Sequence, residues 1–170
     1  MGRAGFGRIL AVLWLTSAQA AIAAEDAKPV LPVPRFVSMR HGEVNLRVGP
    51  GTRYPVAWVF VRQNLPVEIT QEFENWRKIR DSEGTEGWVH EASLQGRRYI
   101  VVEGAIRAVR ADPAADANLV ARAEPGVIGR LEKCPAESMD WCRVEVGGIR
   151  GWLRRTEMWG VYPQEIYPAP

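Results

Sequence analysis

Apolar and polar residues alternate in short runs along most of the chain. Examples are Leu65–Thr70 (LPVEIT), Trp76–Arg80 (WRKIR) and Tyr99–Val102 (YIVV), with Gly, Pro and Asn between such runs. Alternation is typical of strands with one buried face, and turn residues at intervals of about ten residues are typical of a small barrel or sandwich. No long helical period occurs beyond the N-terminal segment. The pattern therefore predicts an all-β protein.

The alternating part of the chain contains one unit written twice. Three segments of the first half match segments of the second at offsets of 63, 65 and 64 residues: Leu46–Pro50 with Val109–Pro113, Trp76–Ile79 with Trp141–Val144, and Gly87–Val89 with Gly151–Leu153. We predict a first domain over residues 35–98, a second over 99–163 and a C-terminal tail over 164–170. A unit of about 60 residues is marginally stable alone, so packing of the halves or a crosslink is expected to support it.

The N-terminal segment has the layout of a secretory signal peptide. Arg3 and Arg8 precede the apolar run Ile9–Leu15, and the small residues of Ala18–Ala20 offer a cleavage site. The run is shorter than the roughly 20 residues of a membrane-spanning helix. We therefore predict a signal peptide over residues 1–24, a Pro-rich linker over 25–34, secretion, and no stable membrane span after cleavage.

Removal of this segment changes the charge balance. The whole chain has 22 Lys and Arg against 20 Asp and Glu. Because Arg3 and Arg8 are lost with the signal peptide, the mature chain has 20 of each and is formally neutral. No Lys/Arg cluster occurs elsewhere, so nucleic acid is not an expected partner.

Two cysteines suit an oxidising compartment. Cys134 and Cys142 are separated by a short segment that includes Pro135 and Asp140, which favours a hairpin closed by a disulfide over two free thiols. Only His41 and His90 could join them as metal ligands, and neither is nearby in sequence. We expect neither a metal site nor a cofactor.

The order of motifs in the first unit resembles a known family. The motifs are Asn45–Gly51 (NLRVGPG), Tyr54-Pro55, Trp76–Arg80, Gly84 and Gly87–Val89. They closely resemble the bacterial Src-homology-3-like (SH3b) domains of exported proteins, strongly over residues 35–96 and more weakly over 105–162. The resemblance implies two tandem small SH3-like β-barrels of five strands each, a periplasmic location, and a cell-wall peptide or an envelope protein as partner.

The two units differ most clearly in the glycine loop of the first. Tyr54-Pro55 follows Gly49 and Gly51, with no helix start and no Lys-Ser/Thr pair, so a nucleotide loop is disfavoured. Glycines that permit positive φ or close packing are the ordinary interpretation. The second unit has Asp112 and Ala114 in place of the glycines, and Ala117–Leu119 in place of Tyr54–Val56. If the first loop grips a ligand, we expect the second not to.

The candidate ligand-binding residues are Tyr54, Trp58, Trp76, Trp88 and Arg47. Trp76 and Trp88 are expected to meet across a hairpin, either as half-buried core or as the lining of a peptide groove. Alternation directs Leu46 and Val48 inward and Arg47 outward. Arg47 could pair with a ligand carboxylate or bind loop carbonyls, and its match Arg110 in the second unit favours the structural role.

The function expected from these features is that of an exported, non-catalytic binding module. It would recognise a cell-wall peptide or an envelope protein through an SH3b groove formed by the loop from Gly49 to Tyr54 and the face carrying Trp76 or Trp88. The alternative is a structural or accessory subunit of an envelope complex without a groove. An enzyme with an unrecognised acid pair is a third class, although the acids form no distinctive motif. Members of this family often accompany a cell-wall hydrolase domain, but here we expect the two units to fill the chain.

Overall fold

A computed structural model describes residues 1–2, 31–138 and 140–167. The chain divides into two compact units, Met1–Leu31 and Pro32–Pro170, and every element given below belongs to the second. The predicted signal peptide and most of the predicted linker lie outside the described residues. No helix within the described ranges is long and apolar enough to cross a membrane.

Within the described residues, fourteen strands form two antiparallel sheets of seven strands each. The first sheet contains β1 Arg35–Met39, β2 Val44–Arg47, β3 Val56–Phe60, β4 Pro66–Phe73, β5 Trp76–Arg80, β6 Glu86–His90 and β7 Leu94–Gln95. The second contains β8 Tyr99–Val102, β9 Arg107–Arg110, β10 Leu119–Ala123, β11 Ile128–Lys133, β12 Trp141–Val146, β13 Ile149–Arg154 and β14 Met158–Trp159. One-turn 3₁₀ helices lie at Glu91–Ser93, Ala136–Ser138 and Arg155–Glu157. The prediction of an all-β protein is confirmed.

The two sheets have the same strand order. It runs β3-β2-β6-β5-β4-β1-β7 in the first and β10-β9-β13-β12-β11-β8-β14 in the second. Each sheet surrounds a separate apolar cluster to which all seven of its strands contribute. Because every strand reaches one cluster, each sheet wraps around its core as a small barrel. The internal repeat of the sequence is therefore a repeat of topology, with seven strands per barrel where the family resemblance implied five.

The inward direction expected for Val48 is wrong. Val44 and Leu46 are buried, whereas Val48 is 59% exposed. Strand β2 ends at Arg47, and a bulge interrupts its pairing with β3 between Leu46 and Arg47. Alternation holds only while the chain remains in the pleated sheet, so it fails at the first residue beyond the strand.

A polar and aromatic seam joins the two barrels. Phe36 of β1 packs edge-on against Trp159 at 5.1 Å and also contacts the ring of Tyr162 at 4.6 Å between ring centroids. The Tyr162 hydroxyl donates a 2.8 Å hydrogen bond to the buried carboxylate of Glu68 in β4. Burial, followed by this hydrogen bond, raises the pKa of Tyr162. The seam fixes one barrel against the other and so shapes the space between them.

The predicted disulfide is present between Cys134 and Cys142, eight residues apart. It links the end of β11 to β12, which are antiparallel neighbours. Tyr167, in the predicted tail, exchanges two backbone hydrogen bonds with Cys134 and packs against the second core. The crosslink and the tail both reinforce the second barrel.

Candidate functional site

The loop after β2 is closed by its own tyrosine. A Cβ atom placed on Gly49 would lie 2.6 Å from Cδ1 of Tyr54, and one on Gly51 would lie 3.4 Å from Cδ2. Neither glycine has positive φ. The glycines of the motif NLRVGPG therefore provide space for an aromatic ring, and the general expectation of close packing is met by a specific side chain.

Arg47, the last residue of β2, anchors this loop to the sheet by hydrogen bonds. Its Nη1 donates to the backbone oxygen of Tyr54 at 2.7 Å and to that of Thr52 at 3.2 Å. The guanidinium of Arg53 lies 5.2 Å from the centre of the Tyr54 ring on the solvent side. The hydrogen bond from Arg53 to the Tyr54 hydroxyl, together with the charge interaction between them, raises the pKa of Arg53. Tyr54 is consequently half-buried and presents only part of its ring to a ligand.

The second barrel retains the anchor and omits the ring. Arg110 donates from Nη1 to the backbone oxygen of Ala117 at 2.7 Å, which repeats the seven-residue step from Arg47 to Tyr54. Asp112 and Ala114 stand where the first loop has glycines. Because no aromatic ring has to be accommodated there, side chains at these positions meet no such obstacle. The absence of the tyrosine and the absence of the glycines in the second loop therefore have the same structural explanation.

Trp76 and Trp88 lie on the outer face of the first barrel. Ile79 of β5 and Val89 of β6 belong to the core. Trp76 and Trp88 alternate with these buried positions along their strands, so both tryptophans are half-buried and point away from the core. The strand register places Trp76 opposite His90, with the two rings edge-on at 5.5 Å. Trp88 lies opposite Lys78 in β5. The two tryptophans are therefore diagonal neighbours on one face and not a directly opposed pair.

Arg47 and Trp88 are also in register between β2 and β6, which brings them to the same outer face. We call Arg47, Trp76 and Trp88 the outer-face patch. Lys78 forms a 2.9 Å ion pair with Glu86 beside it. The hydrogen bond and charge of Lys78 lower the pKa of Glu86, which keeps this carboxylate ionised.

The equivalent tryptophans of the second barrel are covered by cations. Arg154 lies 5.0 Å from the ring centre of Trp141, which is only 8% exposed, and Lys133 lies 5.6 Å from that of Trp152. Within the described ranges, no cation is stacked on Trp76 or Trp88. The two barrels therefore differ in the cations that lie over these rings, while Trp88 and Trp152 are both half-buried.

Trp58 lies apart from the other predicted site residues. It belongs to β3, pairs with the core residue Leu46 of β2, and is 58% exposed. Trp58 forms one wall of a cleft of 710 Å³ between the barrels. The structure thus joins Tyr54 to Arg47 and places Arg47 beside Trp88, while Trp58 faces a different space.

We call this space the inter-barrel cleft. Its first-barrel wall is Trp58–Arg62 with the turn around Asp81 and Glu83, and its second-barrel wall includes Val101–Gly104. Asp81 accepts hydrogen bonds from the backbone N–H groups of Glu83 at 3.0 Å and Thr85 at 2.8 Å, so its carboxylate shapes the turn. This cleft was not predicted from the sequence, although the uncharged run Val56–Val61 (VAWVFV) indicated an apolar surface there.

No group of three or more His, Cys, Asp or Glu side chains in the described part of the chain is placed to hold a metal ion.

Comparison with known families decides what these barrels are. The model of the bacterial SH3 domain matches residues 40–96 and again residues 103–160. The chain belongs to the bacterial SH3 domain family. The two matches coincide with the two barrels, so each barrel is one bacterial SH3 domain.

Solved structures similar to this pair of SH3 domains come from larger proteins. NlpC2 and NlpC1 from Trichomonas vaginalis are 9% and 10% identical over 78% and 79% of this chain, with TM-scores of 0.34 and 0.35. An NlpC/P60 family protein from Bacillus cereus ATCC 10987 is 12% identical over 80%, with a TM-score of 0.33. The matches cover 50%, 49% and 59% of those chains. No curated protein gives a significant match.

Proposed function

We propose that this chain is an exported, non-catalytic binding module of the cell envelope, and that its first SH3 domain recognises an extended cell-wall peptide or a segment of an envelope protein. The observation that carries the proposal is the contrast between the domains: in the described residues no cation lies over Trp76 or Trp88, whereas Arg154 lies over Trp141 and Lys133 over Trp152. Half-buried aromatic rings with a polar rim suit an extended peptide, because they supply large contact area at little entropic cost.

The arrangement around the outer-face patch supports this use. Nη1 of Arg47 donates its hydrogen bonds to the loop, and the loop in turn positions the partly exposed ring of Tyr54. The ligand groove would run from this loop across Trp88 to Trp76. Arg47 then acts on the ligand by holding the groove in shape, since its hydrogen bonds go to loop carbonyls.

Export to the periplasm belongs to the same proposal. It rests on the charged and apolar segments at the N-terminus and on a disulfide, which persists in oxidising compartments. Cell-wall peptides and envelope proteins are the partners that such a compartment offers.

The experiment is a binding assay with the mature chain and purified peptidoglycan fragments. We expect Trp88→Ala to weaken binding at least about tenfold, as truncation of a central aromatic contact does. Trp152→Ala in the second domain is the matched control and should bind as the wild type does. Circular dichroism of each variant checks that it is folded.

Unchanged binding by both Trp88→Ala and Tyr54→Ala would show that the outer-face patch is not the groove. If the wild type binds neither peptidoglycan fragments nor crosslinked envelope proteins, the binding proposal fails. The seam between the domains would then favour the alternative, a structural or accessory subunit. Light scattering and crosslinking in the envelope would test that alternative directly.

A further inference from the structure

Strand β3 is an unprotected sheet edge. The strand order places it at the end of the first sheet, where half of its backbone N–H and C=O groups face away from β2. The run Val56–Val61 contains no charged residue, and Trp58, Val59 and Val61 are 58%, 39% and 73% exposed. Proteins usually protect such edges with charged residues, because an apolar edge accepts a further strand.

The corresponding edge of the second domain carries that protection. Strand β10 takes the same place in the second sheet, yet its sequence LVARA includes the exposed Arg122. The strand register places Arg122 where the first sheet has Val59, because Ala108 pairs with Arg122 as Asn45 pairs with Val59. The two edges therefore differ by a charge at the equivalent position. Val120 of β10 is 41% exposed, against 39% for Val59.

The inter-barrel cleft provides room for a strand beside β3. Its volume is 710 Å³, within the range of about 300 to 1,000 Å³ typical of clefts that hold small ligands. A protein domain would need a wide surface of about 800 Å² on each partner. The narrow space between β3 and the wall at Val101–Gly104 therefore favours a short peptide over a folded partner.

The charges at the cleft favour a cationic peptide. Arg62 donates to the backbone oxygen of Gly126 at 2.7 Å, and Arg107 donates to that of Glu103 at 3.0 Å. In the described ranges, by contrast, the side-chain carboxylates of Glu83 and Glu103 have no hydrogen-bond or ion-pair partner. The hydrogen bonds of Arg62 and Arg107 leave both guanidinium charges in place. The acids Asp81, Glu83 and Glu103 nevertheless outnumber the two arginines that line the cleft, and Arg107 also forms a 3.8 Å ion pair with Glu157. The excess charge of the lining is therefore negative, which complements an amine.

We propose that the inter-barrel cleft is a second peptide site, where a short extended cell-wall peptide bearing a primary amine adds as a strand to β3 while its amine meets Glu83 and Glu103. The ligand class rests on the proposed function, but the site is separate from the outer-face patch. Backbone hydrogen bonds to β3 would supply a sequence-tolerant contact, and the two carboxylates would select for the amine.

The test follows backbone amide shifts of the isotope-labelled mature chain. The probe is the peptide fraction released from purified peptidoglycan, titrated before and after acetylation of its amines. We expect shifts along Val56–Val61 and Val101–Gly104, and at least a tenfold loss of affinity on acetylation. The pair Glu83→Gln with Glu103→Gln should reproduce that loss, whereas Glu124→Gln, an exposed acid outside the cleft, should not.

A second pair of variants tests strand addition. Val59→Glu should abolish the shifts in the cleft, while Val120→Glu in β10 should leave them unchanged. Val59→Gln, which has the same size without the charge, should also abolish the shifts, which separates loss of strand addition from repulsion of the peptide's own carboxylates. Shifts confined to the outer-face patch, insensitivity to acetylation, or binding that survives Val59→Glu would each overturn this site while leaving the proposed function standing. Absence of shifts anywhere would overturn both.

Discussion

Gly49 and Tyr54 form a pair that a double-mutant cycle can test. A methyl group added at Gly49 would lie 2.6 to 2.7 Å from Cδ1, Cε1 and Cγ of the Tyr54 ring. Such distances are far inside van der Waals contact, and Cγ is too close to the backbone for a simple rotation of the ring to relieve them. Gly49→Ala must therefore displace the ring or the loop that Arg47 holds.

The cost of this displacement follows from the overpacking of a well-filled site. We expect Gly49→Ala to lower the free energy of unfolding by about 1 to 3 kcal/mol. In a Tyr54→Ala background the obstructing ring is absent, and the same change should cost less than about 0.5 kcal/mol. The coupling between the two positions is then about 0.5 to 3 kcal/mol, typical of residues in direct contact.

Urea unfolding of the mature chain, followed by tryptophan fluorescence and circular dichroism, measures all four members of the cycle. Agreement between the two probes checks that the transition is cooperative. Gly42→Ala is the matched control, because a Cβ there meets nothing within 4 Å. If Gly49→Ala costs as much without the Tyr54 ring as with it, the ring is not the reason for glycine and our account of the loop is wrong.

Two further predictions concern the second domain and the seam. Cys134→Ser with Cys142→Ser should lower the free energy of unfolding by about 2 to 3 kcal/mol, because a short closed loop is released, and reductant should do the same to the wild type but nothing to the variant. Tyr162→Phe should cost about 1 to 3 kcal/mol, since the buried Glu68 loses a donor. Tyr162 has a raised pKa in the folded state, so its contribution is present below about pH 10 and is lost as the pH rises from there towards the folded pKa. Unfolding of the wild type and Tyr162→Phe across that alkaline range measures it, and equal pH dependence would refute the assignment.

Most of the fold could be predicted from local patterns. The run at Trp76–Arg80 coincides with β5 because alternation in a strand reports its two faces directly. Tyr99–Val102 coincides with β8 as a short apolar run with three buried residues. Gly84 lies in the predicted turn with φ at 85°, a conformation that favours glycine. Val48 is the counterexample, because a bulge and the strand end depend on β3, which lies beyond the loop.

The candidate site was less predictable, since it depends on register and on neighbours distant in sequence. Nothing local tells that Trp76 lies opposite His90 and that Trp88 lies opposite Lys78. The covering of Trp141 by Arg154 likewise requires the pairing of β12 with β13. A list of aromatic residues therefore identified candidates without separating covered rings from uncovered ones.

The sequence by itself determined the all-β class, the twofold repeat, the disulfide and the match of Arg47 with Arg110. These features follow from short-range spacing, which the chain carries wherever it folds. Only the tertiary structure decided that the loop glycines make room for Tyr54 and that Trp58 faces a cleft instead of the outer-face patch. The cleft exists because the seam at Phe36 and Tyr162 fixes one barrel against the other, and contacts between units about 60 residues long leave no periodic trace in either.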